Sequence, residues 1–483
     1  MAISGFWQLA AFAAIVAIIG VLTLWRTRAA KIHSTDDSKE YFLAGGGLTW
    51  IYVAGSITIT NLGTEQLVGM NGNQMLLLSL WELSAVVGLM ILAFVFVPIY
   101  YHYNCTTTTE LLERRYGDDR VRTMISTLFM FGYLFLSMPS ALYTGALFMR
   151  TVFGIDLPFM VLGTGIAALG AVYGVMGGLR AVAISETFSG ASLLFICLVI
   201  VFLALQAIGF DFSGIPAERL TLIGDNDSPI PWHTLLTGML FIQIFYWSTN
   251  QAITQRAMAS PTVREAQKGV IAAAAIRLMI VPAIVVLPGV VAFKLYGDID
   301  DAAFGTLVGG VLPPWLSGAF AAVLVTSVAT HFVAILNSAA ALYVCDIHQK
   351  YVNPDVSVRR LNIAVSALFI GVAVAMIPVY SNAQSIINLL QQLNGLLSMP
   401  ILSAFIVGLM FKGVDARAAI GGVVFGIALY ALFTFVHAPF GLHYIHLMFV
   451  TLLATVGFAL AVNRLVFGQQ AEFTGFRLGH TAA

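Results

Sequence analysis

Apolar residues follow one another along this chain in long stretches that do not alternate with polar residues. Thirteen stretches of about 20 residues or more are separated by short polar segments. A helix of that length crosses the hydrocarbon layer of a bilayer and satisfies its own backbone hydrogen bonds there. The pattern therefore predicts an all-α, polytopic membrane protein with about thirteen transmembrane helices. The predicted spans are residues 4–25, 48–73, 75–103, 122–149, 157–176, 181–208, 232–254, 269–293, 312–346, 358–380, 382–411, 416–437 and 443–466.

The composition agrees with this pattern and excludes a water-soluble protein. Only 10% of the 483 residues are charged and 59% are hydrophobic, with a mean hydropathy of +0.91. Soluble domains carry about 25% charged residues, which cover their water-facing surface. Cys105, Cys197 and Cys345 lie far apart and indicate neither a disulfide framework nor a metal motif. A lipid bilayer is therefore an expected partner, and a nucleic acid is not.

The distribution of Lys and Arg predicts the orientation, because cytoplasmic loops accumulate these residues. With the N-terminus outside, the inner segments hold 19 of them and the outer segments hold Arg150, Arg219 and Lys294, with Arg277 inside a helix. We therefore expect an outer N-terminus and a cytoplasmic C-terminus. The first apolar run lacks a preceding basic residue and is too long for a signal-peptide core, so it is interpreted as a retained helix.

The second predicted span contains an unusual polar cluster, "ITITNLGTEQLVGM" at 57–70. Asn61, Gly63, Thr64, Glu65 and Gln66 fall within six consecutive positions. Backbone groups freed by a break in a membrane helix are tolerated only where they face a cavity or other protein. Many secondary transporters build a site for solute and cation at such a break. The pattern predicts a broken helix, and the alternative is a polar kink that neighbouring helices satisfy.

Four further polar segments accompany this cluster: "GGLRAVAISETFSG" (177–190), "YWSTNQAITQR" (246–256), "ILNSAAALYVCDI" (335–347) and "LLQQLNGLLSMP" (389–400). Together with "NLGTEQLVGMNG", and in this order, they resemble motifs of the solute:sodium symporters. The resemblance is strongest to the bacterial sodium/glucose and sodium/galactose cotransporter branch and covers nearly the whole chain. It implies a transporter of the bacterial inner membrane and not an enzyme. The expected activity is cation-coupled uptake of a sugar by alternating access.

The resemblance also implies a LeuT-like core of two inverted five-helix repeats, each beginning with a broken helix. The repeats would be residues 48–208 and 232–411, joined by an outer loop at 209–231. Residues 1–47 would form an extra N-terminal helix with an inner linker. Residues 412–483 would form two peripheral helices and a cytoplasmic tail. The "YWSTNQ" stretch agrees with this arrangement, since it interrupts an apolar run at the start of the second repeat.

For the solute, the resemblance implies eight binding residues. Amides donate and accept hydrogen bonds, and a carboxylate accepts them, which suits the hydroxyls of a sugar. The family has lysine where Arg277 stands and asparagine at the position of Gln243. Arginine suits an anion, so an acidic sugar stays open beside the favoured neutral hexose. The implied residues are Asn61, Gln66, Glu82, Gln243, Tyr246, Trp247, Arg277 and Gln391.

For the cation, the resemblance implies a sodium site, and here the chain departs from the pattern. His331 stands where the family has a hydroxyl, and imidazole suits softer metals than sodium. Histidine exchanges protons near neutral pH, so proton coupling and a facilitator without coupling remain alternatives to sodium. No other cofactor is expected. The implied residues are the carbonyls of Ile59, Leu62 and Ser327, the side chains of Thr330 and His331, and Glu186 on the inner ion route.

Two other classes of protein are less consistent with the sequence. A sensor on a transporter fold usually carries a signalling domain, and the segment after Phe467 is too short for one. A membrane enzyme would show a nucleophile elbow, a metal cluster or a phosphate loop, and the sequence pattern gives no sign of these motifs. On the inner side, Asp346 is expected to pair with a basic loop, and the hydroxyls of "TTTTE" (106–110) are expected to cap a short helix. The identity of the sugar, the stoichiometry and the oligomeric state do not follow from the sequence.

Overall fold

The computed structural model describes residues 7–8, 10–18, 21, 38–381, 386–437 and 439–475. Within these ranges, the side chains of residues 40, 172–178, 180, 181, 185 and 440 are not described. The predicted span at 4–25 therefore lies largely outside the described residues, as do the start of the span at 382–411 and four of the basic residues counted for orientation. Those four are Arg26, Arg28, Lys31 and Arg477.

The described chain is almost entirely helical, which confirms the predicted all-α class. Nine helices in this part of the chain are long and apolar enough to cross a membrane. The helices are α1 (Trp50–Thr60), α2 (Thr64–Gly72), α3 (Leu76–His102), α4 (Thr108–Tyr116), α5 (Asp119–Phe153), α6 (Phe159–Ala207), α7 (Gly238–Ser248), α8 (Gln251–Met258), α9 (Val263–Tyr296), α10 (Ala303–Val311), α11 (Pro314–Tyr351), α12 (Val358–Tyr380), α13 (Ile386–Met410), α14 (Ala416–Val436) and α15 (Tyr444–Leu465). Short strands β1 (Phe411–Lys412) and β2 (Glu472–Phe473) pair antiparallel.

Both predicted helix breaks are present. The break between α1 and α2 spans Asn61 to Gly63, and Gly63 has an extended backbone with φ −89° and ψ −176°. The break between α7 and α8 falls at Thr249 and Asn250. Asn250 Oδ1 caps α8 by accepting from Ala252 N at 2.9 Å, and it also accepts from the Tyr133 hydroxyl at 2.7 Å. At the second break, the Asn250 side chain therefore replaces a backbone hydrogen bond that the helix has lost, whereas no side chain caps α2 at Gly63 among the described residues.

Helix α6 holds both predicted spans at 157–176 and 181–208 in one helical run of 49 residues. A straight helix of this length would separate its ends by about 74 Å. Instead, both ends of the run lie near α10. At the first end, Arg150 of α5 lies 4.5 Å over the Phe159 ring, and Phe148 of α5 contacts Phe304 of α10. At the second end, Ala204 belongs to a hydrophobic cluster with residues of α10. The run therefore reverses direction and crosses the bundle twice.

The segments predicted to lie inside meet at one end of the bundle, around Asp346. This fully buried carboxylate accepts from Arg122 Nε at 2.8 Å and from the hydroxyls of Thr107, Thr109 and Ser126. The expected pairing of Asp346 with a basic inner segment is confirmed. The expected capping of α4 by threonine hydroxyls is wrong, because the Thr107 side chain makes no cap hydrogen bond and the Thr107 and Thr109 hydroxyls bind Asp346. The first-turn amide of Thr108 donates instead to Gln251 Oε1 at 2.8 Å.

The segments predicted to lie outside meet at the opposite end. Each of their basic residues pairs with an acid of an outer loop: Arg150 with Asp156, Arg219 with Asp298, and Lys294 with Asp211. The segment between the predicted spans 269–293 and 312–346 contains a further helix, α10, which the apolar pattern did not predict. The grouping of inner and outer segments at opposite ends agrees with the predicted order of spans.

Candidate functional site

A cavity of about 130 Å³ lies where the two helix breaks meet. One buried water needs about 10–15 Å³ by the same measure, so the cavity has room for a solute of monosaccharide size. Seven of the eight predicted solute-binding residues line it, and Arg277 does not. The polar and aromatic lining residues are Thr60, Asn61, Glu65, Gln66, Trp81, Glu82, Phe129, Tyr133, Ser137, Ser140, Gln243, Phe245, Tyr246, Trp247, Asn250, His331, Gln391 and Asn394.

Arg277 lies behind the cavity wall in an ion pair with Glu82. Both side chains are buried, with relative exposures of 0% and 2%. The guanidinium also donates to the Thr58 carbonyl at 3.2 Å and lies 4.3 Å over the Trp247 ring. Its charge is therefore compensated by Glu82 and shielded by an aromatic face. From α9, Arg277 therefore links α1, α3 and α7, which carry Thr58, Glu82 and Trp247.

Asn61 connects this ion pair to the cavity. With its amide oriented so that donors meet acceptors, its oxygen accepts from Arg277 Nη2 at 3.0 Å and its nitrogen donates to the Tyr246 hydroxyl at 2.6 Å. The rings of Tyr246 and Trp247 meet edge to face with centroids 5.3 Å apart. The two aromatic residues and Asn61 form one continuous wall at the junction of the two breaks.

The three predicted glutamines differ in how free their amides are. Gln243 donates to the Trp81 carbonyl at 2.7 Å and accepts from Trp247 Nε1 at 2.9 Å, so it orients the tryptophan. The Gln66 oxygen is buried without a hydrogen-bond partner among the described residues. The oxygen of Gln391 accepts from Asn394 at 3.4 Å. Gln66 and Gln391 are therefore the amides with hydrogen-bonding capacity left for a solute.

His331 faces an acidic residue that sequence reasoning did not assign to the site. Its Nε2 lies 3.6 Å from Glu65 Oε1, and the two side chains are 7% and 13% exposed. The Ser140 hydroxyl lies 3.5 Å from the same carboxylate oxygen. His331 Nδ1 is buried and has no hydrogen-bond partner within the described chain. Glu65 was visible in the polar cluster, but nothing in its local sequence indicated a partner 266 positions away.

The other predicted cation ligands lie around the first break and on α11. The Ile59 carbonyl accepts from Leu62 N at 3.0 Å, and the Ser327 carbonyl accepts from the Thr330 hydroxyl at 2.9 Å. The Ser327 hydroxyl is buried and unpaired in the part of the chain that the structure describes. Among the described residues, no group of three or more His, Cys, Asp or Glu side chains could hold a metal ion.

Glu186 lies in a separate buried cluster and does not line the cavity. Its carboxylate accepts from the Ser56 hydroxyl, from the Thr60 hydroxyl at 3.2 Å and from Arg256 Nη2 at 3.4 Å. Arg256 belongs to α8, and both charged side chains have 0% exposure. The structure thus places Glu186 with α1 and α8, the halves of the two broken helices that are predicted to lie on the inner side, apart from His331.

On the side of the cavity that is predicted to face outward, α2 and α13 are in contact with each other. Gly69 packs against Ile387, and Asp301 of the outer segment lies against Gly72. Asp301 Oδ2 also accepts from Ile386 N at 3.2 Å, at the start of α13. Burial raises the pKa of Asp301 to about 6, with a smaller contribution from Asp300. One carboxylate therefore joins the outer ends of the first broken helix and of α13.

Comparison with known proteins places this geometry in context. The family model of the sodium:solute symporter family matches residues 41–426. The chain is 32% identical to the uncharacterized symporter YidK of Escherichia coli (strain K12), over 94% of this chain and 83% of the relative. It is 30% identical to the sodium/glucose cotransporter of Vibrio parahaemolyticus, over 93% of this chain and 89% of that relative. It is 27% identical to the sodium/myo-inositol cotransporter 2 of Mus musculus, over 84% of this chain and 66% of that relative.

Solved structures with similar folds are transporters with a LeuT-like core. A Na⁺-coupled sialic acid symporter in a substrate-bound outward-open state matches with a TM-score of 0.80 and 20% identity, over 96% of this chain and 98% of that one. Mhp1, a nucleobase-cation-symport-1 family transporter in a closed conformation, matches with a TM-score of 0.56 and 17% identity, over 87% and 92%. At these identities the matches establish the fold.

Proposed function

This chain belongs to the sodium:solute symporter family, and we propose that it carries a neutral hexose or a related polyol into the cell together with a cation. Members of this family are multi-pass membrane transporters. The observation that carries the proposal is the cavity at the two helix breaks, where free amide groups and aromatic faces converge. The names of the glucose and myo-inositol relatives agree with a polyhydroxylated solute.

The lining favours hydroxyl groups as the chemistry to be recognised. Gln66 and Gln391 offer both donors and acceptors, and the rings of Tyr246 and Trp247 offer flat faces for the apolar side of a sugar ring. A site that binds hydroxyls through buried polar groups discriminates strongly, because an analogue without them leaves those groups unpaired. A sugar therefore fits this cavity better than an apolar amine or an aromatic solute.

The charges favour a neutral solute over an acidic one. Arg277, which could have paired with a uronate, is neutralised by Glu82 and stays behind the wall. The other acid in the lining, Glu65, faces the imidazole of His331 at 3.6 Å and the Ser140 hydroxyl at 3.5 Å. Among the described lining residues, an anionic solute would meet a carboxylate and no guanidinium, so it would bind at an electrostatic cost.

Two broken helices around one central site support transport by alternating access. The contacts of α2 with α13 and Asp301 close the outer side of the cavity. Release of these contacts would open a path to the outer face. We propose the bacterial inner membrane as the location, with the predicted outer N-terminus and cytoplasmic C-terminus. Family membership favours sodium as the coupling cation, and the pair of His331 and Glu65 is the specific observation that favours a proton.

Uptake by proteoliposomes that hold the purified full-length protein tests this proposal. Radiolabelled D-glucose, D-galactose, myo-inositol and D-glucuronate would be offered under a sodium gradient and, separately, under a pH gradient. We expect accumulation of at least one neutral solute above equilibrium under one of the gradients, and no accumulation of glucuronate. Gln66→Leu should lose this accumulation. Gln206→Leu is the control and should keep it, because Gln206 is exposed at the end of α6.

Each outcome bears on a different part of the proposal. Downhill flux of a neutral sugar under both gradients would replace the symporter by a facilitator. Preferential accumulation of glucuronate would overturn the argument from Arg277 and Glu82. Binding of all four solutes without any flux would favour a receptor over a transporter.

A further inference from the structure

We propose that His233 and His446 form a binding site for a transition-metal ion, such as Zn²⁺, on the face of the protein that is predicted to lie outside. This site lies apart from the cavity, since neither histidine lines it. His233 belongs to a short helical turn, Trp232–Leu236, that precedes α7, and His446 lies in the first turn of α15. Metal binding here goes beyond the proposed transport of a solute.

The two imidazole rings meet with one nitrogen of each directed at the other. His233 Nδ1 lies 2.5 Å from His446 Nε2, and the ring planes are inclined by only 9° with centroids 4.6 Å apart. Parallel rings that lie one above the other could not bring two atoms so much closer than their centroids. The rings therefore meet edge to edge, and the two nitrogens face each other across a narrow gap.

The opposite nitrogen of each ring is held by an oxygen, which fixes the tautomer. His233 Nε2 lies 3.0 Å from Asn226 Oδ1, an oxygen that only accepts hydrogen bonds, so this nitrogen carries the ring proton. His446 Nδ1 lies 2.9 Å from the Thr237 hydroxyl. That hydroxyl donates its own proton to the Thr234 carbonyl at 3.2 Å, so it accepts from His446 Nδ1. In the neutral rings, the two facing nitrogens therefore both present lone pairs.

Two lone pairs at this distance repel each other unless a positive charge lies between them. Imidazole nitrogen is a preferred ligand of Zn²⁺, Cu²⁺ and Ni²⁺. Histidines that bind a metal almost always donate the other ring N–H to an oxygen, as both rings do here. Zn²⁺ binds nitrogen at about 2.0–2.1 Å in tetrahedral geometry, so the facing nitrogens would move to about 3.4 Å apart. A proton shared between the rings would satisfy the same lone pairs, and it is the competing outcome of the test.

The surroundings favour a cation that arrives from water. Both histidines are partly exposed, and Asp225 and Asp227 flank Asn226 in the neighbouring exposed segment. Burial lowers the pKa of His443 to about 4, with smaller contributions from His446 and His233, so this third ring adds no positive charge at pH 7. With two ligands from the protein, water would complete the coordination shell.

A metal ion at this place would tie the peripheral helix α15 to the second broken helix. Gly238, the first residue of α7, packs so closely on the Ile445 carbonyl of α15 that an added Cβ would overlap it. Helix α7 also carries Gln243, Tyr246 and Trp247 of the cavity lining. A bound ion would therefore restrict the movement of α7, and this consequence for transport rests on the proposed function.

Isothermal titration calorimetry with Zn²⁺ tests the site on the full-length protein in lipid nanodiscs, prepared without a histidine tag and stripped of metal. We expect the wild type to bind Zn²⁺. His233→Gln and His446→Gln should each weaken binding by about tenfold or more, because loss of even an outer-shell partner costs that much. His437→Gln is the matched control and should bind as the wild type does, since His437 is an exposed histidine at the end of α14. Mg²⁺, which prefers oxygen ligands, should not bind.

Two further measurements examine the geometry of the site. Thr237→Val removes the oxygen that orients His446 and should weaken Zn²⁺ binding about tenfold, whereas Thr237→Ser should restore it. Cu²⁺ at one equivalent should give the wild type an EPR spectrum with hyperfine splitting from two imidazole nitrogens. Absence of that splitting in the wild type would overturn the proposal even if the variants do not fold. Absence of any Zn²⁺ binding would leave only a shared proton between the rings and would also overturn it, as would unchanged Zn²⁺ binding in both histidine variants.

Transport separates the metal site from the broader function. Zn²⁺ added outside the proteoliposomes should slow uptake of the accumulated solute in the wild type and not in His446→Gln. Zn²⁺ binding in a protein that accumulates none of the offered solutes would refute the proposed solute and leave the metal site intact. Zn²⁺ binding that leaves uptake unchanged would overturn the restriction of α7.

Discussion

Two acid–base pairs flank the cavity, and they differ in how completely their charges are satisfied. Glu82 and Arg277 are in direct contact and almost fully buried, and Arg277 has further contacts with the Thr58 carbonyl and the Trp247 ring. Glu65 and His331 lie 3.6 Å apart, are partly open to the cavity, and leave an imidazole nitrogen unpaired within the described chain. The first pair joins a guanidinium and a carboxylate in direct contact, whereas the second is charged on both sides only when the histidine is protonated.

The comparison shows how one cavity combines a fixed part and an exchangeable part. The Glu82–Arg277 pair connects α3 and α9 to Asn61 at the first break. It therefore holds the part of the cavity wall that a solute would contact in a fixed position. The Glu65–His331 pair connects α2 to α11, so a change in its charge alters the contact between a broken helix and its scaffold. The predictions that follow test this division, from the largest expected effect to the smallest.

The largest effect is expected from breaking the fixed pair. Removing one partner leaves a buried charge uncompensated, so Glu82→Gln and Arg277→Gln should each lower the free energy of unfolding by about 3–5 kcal/mol. The double variant should recover part of the loss, because it buries no unpaired charge. Unfolding by SDS, followed by tryptophan fluorescence, measures these differences.

Two variants control this measurement. Arg277→Lys keeps the charge, loses the planar fork, and should fall between the wild type and Arg277→Gln. The exposed pair of Arg150 and Asp156 should contribute about 0–1 kcal/mol when it is broken. Losses below 1 kcal/mol for both single variants at the buried pair would show that Glu82 and Arg277 do not fix the wall.

A smaller effect is expected at the second pair. A double-mutant cycle of Glu65→Gln and His331→Gln should give a coupling energy of about 1 kcal/mol, because the two side chains lie 3.6 Å apart and are partly open to the cavity. The same SDS titration measures this coupling energy. A coupling energy as large as that between Glu82 and Arg277 would contradict the division between the two pairs.

The sequence predicted the fixed features of this molecule better than the pairings. The spans and the first break follow from local pattern, since a polar run such as Asn61 to Gln66 inside an apolar stretch has few ways to satisfy its hydrogen bonds in a membrane. The second break was implied by the family resemblance, with which the polar stretch at 246–251 agrees. The resemblance to the family also brought together seven residues that do line one cavity. The boundaries of the inverted repeats and the binding roles of the individual residues stay predictions.

The pairings depend on how each helix is rotated about its own axis, and local pattern does not contain that information. Gln243 was expected to face the solute, yet its amide is turned to Trp81 and Trp247. Arg277 lies behind the wall because its long side chain reaches three elements at once. The Thr107 and Thr109 hydroxyls, expected at a helix cap, bind Asp346, which is more than 230 positions away in the chain.

A third prediction disturbs the exchangeable pair without touching either side chain. Gly63 has a backbone conformation that any residue adopts, but an added Cβ would meet the Glu65 carboxylate and lie 3.3 Å from His331 Cδ2. In Gly63→Ala the flexible carboxylate should swing away, at a cost below about 1 kcal/mol in stability. The pH dependence of D-galactose binding, followed by tryptophan fluorescence, should flatten. Gly165→Ala is the matched control, since its Cβ would meet nothing within 4 Å, and a flattened profile in both variants would contradict the explanation.

The smallest effect is expected at the outer closure, where a third acid titrates independently of the two pairs. Burial raises the pKa of Asp301 to about 6 when α13 is closed over it, whereas an exposed aspartate titrates near 3.9. The closed state therefore binds the proton more tightly, and lowering the pH from about 7 to 5 should shift the population toward closure. Spin labels at Asn73 and Ser381, near the outer ends of α2 and α12, should report shorter distances at pH 5 than at pH 7.5.

Asp301→Asn removes the titration and should abolish this shift, while the pH response of the Glu65–His331 pair persists. Asp300→Asn is the matched control, because Asp300 has φ 48°, which asparagine tolerates, and it contributes less to the shifted pKa than burial does. A distance change that survives Asp301→Asn and disappears in Glu65→Gln would assign the outer closure to the exchangeable pair. In that case the Glu65–His331 pair and the contact of Asp301 with α13 would respond to pH as one coupled unit. The part of the molecule whose charge changes would then include α13 as well as the contact between α2 and α11.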